Sequence, residues 1–134
     1  MTLPSVRARR ALFWCYAAAL FIGTHWPALR VSVPGVERPD LVVHLAIFGL
    51  WMFLFWGAAY IRPVWSARSI AVCVLIACAY AAADELLQAI PALKRTAAWD
   101  DFAANTLGIA IVGVGLLVIG RIRSRLHEDA HGAD

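Results

Sequence analysis

Four long apolar runs leave this 134-residue chain few folds to choose from. They are Ala11 to about Leu29, Leu41–Ile61, Ile70–Ile90 and Phe102–Gly120. Each comes close to the roughly 20 residues a helix needs to cross a hydrocarbon layer. In hydrocarbon no water serves the backbone N–H and C=O groups, so each run must satisfy its own and is expected to be helical. Composition agrees: the chain is 62% hydrophobic and 16% charged, against about 45–50% and about 25% in a soluble domain. The fold expected is all-α, an integral membrane bundle of four transmembrane helices forming one domain over residues 1–134. The first run follows a basic "VRARR", as a signal peptide would. The "THWPALR" after it offers no small-x-small cleavage site, so it is read as a retained span.

Lysine and arginine set the orientation. Arg7, Arg9 and Arg10 precede the first run, Arg62 and Arg68 separate the second and third, and Arg121, Arg123 and Arg125 follow the fourth, eight in all. The other side has four: Arg30, Arg38, Lys94 and Arg95. This bias predicts both termini in the cytoplasm and a tail from His127 that frays. The net charge of +3 reflects this topology and carries no nucleic-acid signal. Cys15, Cys73 and Cys78 lie in apolar runs without C-x-x-C spacing and read as small buried hydrophobes.

On that topology the polar residues gather at one side. Thr24 and His25 end the first span; Asp40 and His44 open the second; Asp84, Glu85 and Gln88 close the third; Asp100, Asp101 and Asn105 open the fourth. Asp40/His44, Asp84/Gln88 and Asp101/Asn105 are i, i+4 pairs, each on one helix face. Three helices can therefore present polar stripes at one depth. Ionisable groups there cost a few kcal/mol each unless they face a bundle or cavity and are paired. Lys94 and Arg95, in the outer loop, are the expected counter-charges. Ala77, Ala79, Ala81, Ala82 and Ala83, with Ala104 and Gly108 in small-xxx-small spacing, predict that spans three and four pack as a close hairpin.

Each feature has a plainer reading. Asp100 and Asp101 suit the positive end of a helix, Asn105 can join helices, and His44 can be a helix-contact residue. Arg95 can anchor at the surface. Asp84 and Glu85 are disfavoured at a helix C-terminus, which calls for some other interaction to hold them. Trp51, Phe53, Phe55 and Trp56 are expected to face lipid or fill the bundle.

The segments "PDLVVHLAIFGL", "DELLQ" and "DFAANTLG", with Arg95 between the last two and "THWP" ending the first run, resemble the VanZ-like family of small bacterial membrane proteins. The resemblance spans roughly residues 11–120. Leu41 stands where the family has Lys, Leu87 where it often has His, and the Gln88–Arg95 loop is one residue longer. The family name comes from a protein linked to teicoplanin resistance. The resemblance implies a multi-pass protein of the bacterial cytoplasmic (inner) membrane, a role at the cell envelope, and a site of Asp40, His44, Asp84, Glu85, Gln88, Arg95, Asp101 and Asn105.

Three functions remain open on the residues. In the first, a lipid-linked cell-wall or polysaccharide precursor places a phosphate on Arg95 and Lys94 while its chains lie among membrane lipids. Asp84, Glu85, Asp101 and His44 then do acid–base work, or hold a divalent cation. In the second, the network only specifies helix packing in a non-catalytic accessory protein. The third, an ion pathway, meets the apolar "GIAIVGVGLLVIG" of the fourth span. No phosphate-cradling Gly loop, H-E-x-x-H, G-x-S-x-G or haem motif occurs, so any chemistry is expected to be acid–base or metal-assisted.

Overall fold

A computed structural model describes residues 4–26, 35, 37–90 and 98–131. Among them are four helices, α1 (Val6–His25), α2 (Pro39–Gly57), α3 (Ala67–Gln88) and α4 (Trp99–His131), and no strand. Three are long and apolar enough to cross a membrane: Pro39–Gly57, Ala67–Gln88 and Trp99–Ala130. α1 is the exception. Arg7, Arg9 and Arg10 occupy its first turns and Thr24 and His25 its last, so the apolar stretch between them is short.

Local chemistry fixes the helix ends. Ser5 and Ser66 cap α1 and α3 by accepting from the N–H of Ala8 and Ser69, each satisfying one of the orphan donors of a first turn. Pro39 opens α2, where a missing N–H is harmless. Asp100 and Asp101 occupy the first turn of α4, at the positive end of its dipole. α4 then runs past Gly120 to His131, with residues 121–130 exposed. The tail expected to fray from His127 is helical as far as His131, because "RIRSRLHEDA" is rich in good helix formers and holds no Gly or Pro.

The helices run up and down. The C-terminal ends of α1 and α3 meet the N-terminal ends of α2 and α4, as contacts from Thr24 to Asp84, Arg38 to Asp100 and His44 to Asn105 require. At the opposite end the Arg10 Nε–H donates to the Ala58 carbonyl, Trp14 donates to the Tyr60 hydroxyl, and the Arg123 guanidinium sits 5.6 Å from the Trp65 ring centre.

α4 makes its largest interface with α2, ahead of α3. Gly108 explains this: a Cβ there would collide with the Leu45 carbonyl and lie 3.2 Å from the Gly49 nitrogen. The small-residue face of α4 therefore serves α2 first, because Gly49 offers a second position without a Cβ. α3 still packs on α4, at Val74 against Gly113, and its Ala77 and Ala81 are buried. Phe13, Phe48, Met52, Ile70 and Ile109 fill the interior, where Trp51 stacks on Tyr80 with centroids 4.8 Å apart. Phe53, by contrast, faces outward.

Candidate functional site

The polar residues of the sequence converge at the end where α1 and α3 finish and α2 and α4 begin. His44, one turn inside α2, points at α4. Its Nδ1 lies 3.0 Å from the Asn105 Oδ1, and an amide oxygen only accepts, so Nδ1 carries the proton. Its Nε2 faces the Asp101 Oδ2 at 3.8 Å, ion-pair range but too long for a direct hydrogen bond. The i, i+4 spacing of Asp101 and Asn105 thus brackets one imidazole.

Asp84, at the end of α3, is almost fully buried and both its oxygens are engaged. The Thr24 hydroxyl donates to Oδ1 and the Gln88 amide to Oδ2, each at 2.9 Å. His25 stands 3.7 Å from the same Oδ1. The His25 Nδ1 lies 2.9 Å from the Phe21 carbonyl, so that nitrogen too carries a proton. Glu85, the next residue, turns toward α4 and accepts from the Ala98 N–H, within electrostatic range of Asp101 and His44.

Several buried atoms here have no hydrogen-bond partner: the Glu85 Oε2, Asp101 Oδ1, Asn105 Nδ2 and His25 Nε2. Buried polar groups are nearly always satisfied, so each such atom calls for an explanation. The set offers both donors and acceptors. Among the described residues no three His, Cys, Asp or Glu side chains group so as to hold a metal ion.

Asp40 stands apart. Although it shares a helix face with His44, it turns outward to Arg38, whose guanidinium binds Asp40 at 3.0 Å and Asp100 at 2.6 Å. All three are substantially exposed, and the two carboxylates strengthen the Arg38 guanidinium's hold on its proton. Lys94 and Arg95 lie outside the described residues.

The geometry adds to the site Thr24 and His25, which the sequence already set at this end of the bundle, and Arg38. The polar "TH" before Trp26 carried a signal for the first two. Arg38, two residues before an Asp at a helix start, had no distinctive spacing.

No curated protein and no solved structure matches the chain. The VanZ/LLP1 family model matches residues 29–121. This segment holds α2, α3, most of α4 and, apart from Thr24 and His25, the whole polar cluster. The chain therefore belongs to the VanZ-like family.

Proposed function

We propose that this protein is a single membrane domain that binds or modifies a lipid-linked cell-envelope molecule at the clustered ends of its helices. The observation that carries the reading is the set of unpartnered buried polar atoms on Glu85, Asp101, Asn105 and His25. Networks that serve packing satisfy the large majority of their buried polar atoms, and four of the six unpartnered ones among the described residues gather here, the others being Arg9 Nε and Trp51 Nε1. In this reading α1 is a fourth span in the bacterial cytoplasmic membrane, both termini are cytoplasmic, and the cluster lies at the outer leaflet. The eight-to-four distribution of Lys and Arg supports that orientation. His44, Asp101 and Glu85 are the acid–base candidates. Asn105, Gln88, Asp40, Lys94 and Arg95 bind the ligand, the two cations taking a phosphate. Binding of precursor in this way would alter glycopeptide susceptibility.

The test is native mass spectrometry of the protein purified from bacterial membranes. We expect the wild type to retain a lipid-linked phosphate, and Arg95→Gln and Asn105→Leu, folded as judged by circular dichroism, to lose it. Equal retention by all three would sink the reading.

A second reading, a non-catalytic accessory protein, is favoured by one observation: Asp84 has both oxygens satisfied by Thr24 and Gln88. Asp84 then positions α1 against α3 and takes no part in chemistry. Glu85→Gln separates the two. It is tolerated if the residue only hydrogen-bonds, and abolishes function if the residue moves a proton.

A further inference from the structure

A cleft opens between the end of α3 and the start of α4, lined by Ala82, Glu85, Leu86, Ala98, Trp99 and Phe102. Its volume is about 310 Å³, at the lower end of the roughly 300–1,000 Å³ of small-ligand sites. That suits a section of a chain better than a whole lipid. Five of the six lining side chains are apolar. Leu86 and Trp99 at its rim are 72% and 88% exposed, on helices apolar enough to cross a membrane. Ala82 and Ala98 are small and leave the space open, where larger side chains would fill it. The sixth residue, Glu85, is 7% exposed. One of its oxygens is held by the Ala98 N–H and the other, Oε2, is buried without a partner.

We propose that this cleft takes the hydrocarbon chain of a membrane lipid bearing a free hydroxyl, with the hydroxyl bonded to the Glu85 Oε2. The proposal rests on the reading of this end of the bundle as a lipid site, and adds a side route to it. An apolar slot facing hydrocarbon selects a chain, and the unpartnered oxygen selects the group at the chain's end. A hydroxyl both donates and accepts, so it satisfies Glu85 whether or not the carboxyl carries a proton. A lipid placed this way has its headgroup at the end of the bundle where His44 and Asp101 face each other.

The probes are dioleoylglycerol, which has one hydroxyl, a long-chain polyprenol, which also has one, and trioleoylglycerol, which has none. Binding to the purified full chain in detergent is measured by native mass spectrometry. We expect both alcohols to bind and trioleoylglycerol to bind about tenfold more weakly, with Ala82→Phe, which fills the slot, weakening the alcohols about tenfold as well. If only one alcohol binds, the proposal stands and that source is identified. A chain-brominated dioleoylglycerol should also quench wild-type fluorescence beyond the quenching seen in Trp99→Phe; this keeps the test decisive should Ala82→Phe fail to fold. Equal binding of trioleoylglycerol, absence of Trp99 quenching, or a dimer that Ala82→Phe dissociates would overturn it. If Ala82→Phe changes nothing while Arg95→Gln still loses the lipid-linked phosphate, the cleft falls and the proposed function survives. If neither variant loses any lipid, both fall.

Discussion

Thr24 ties the end of α1 to a carboxylate that has no access to water. Removing a donor from a buried carboxylate costs more than the average hydrogen bond, because the acceptor stays desolvated. Thr24→Val keeps the shape and should lower stability by about 1–3 kcal/mol, read as a lower melting temperature in detergent. Arg38 is the contrast. Its partners Asp40 and Asp100 stay hydrated, so Arg38→Ala should melt with the wild type, and any difference should vanish in high salt. Asp40 also marks a limit of sequence reading. The i, i+4 rule placed it on the His44 face, but in a first helical turn the side chain can swing outward, and a nearby guanidinium decides where it goes. His44, Asp101 and Asn105 were legible because they lie where a helix face and its facing neighbour leave little choice. For His25 the end of the bundle was legible but its approach to Asp84 was not, since α1 has no second polar residue a turn away to define a stripe.

Between elements, Gly108 governs the approach of α4 to α2. Gly108→Ala places a methyl against the Leu45 carbonyl, and backbone cannot step aside as a side chain can. Overpacking of this kind costs about 1–3 kcal/mol, enough to lower the melting temperature. Gly115→Ala on the same helix meets nothing within 4 Å and should leave stability unchanged or slightly raised, since alanine is the better helix former. Comparable melting of the two variants would contradict the close α2–α4 seam. The small-residue spacing was readable in the chain, but its partner was not. Such spacing says that a helix is approached closely and leaves the neighbour open. The neighbour is settled by a second glycine, Gly49, more than fifty residues away in sequence. Helix existence was legible throughout, whereas helix ends moved with capping serines, a permitted proline and the helix-forming tail of α4.

The whole molecule distributes its charges unevenly: six carboxylates, from Glu37 to Asp101, and two histidines gather with Arg38 at one end, and eight arginines lie at the other, joined there by His127, Glu128 and Asp129. If that polarity sets orientation, single cysteines at Arg38 and Ser124, in a background lacking Cys15, Cys73 and Cys78, should react oppositely with a membrane-impermeant maleimide on intact cells. The Arg38 position labels from outside and the Ser124 position only after lysis. The reverse pattern would invert the topology and put the polar cluster in the cytoplasm. α4 carries a further consequence. Its residues 121–131 rise about 16 Å at helical pitch, and Trp65 and Arg123 meet where that stretch leaves the bundle. An indole clasped by a guanidinium works there as a collar on a mast. It holds the projecting helix in line with the bundle, so a binding partner would find the three basic residues on a stiff spar at a set angle and height.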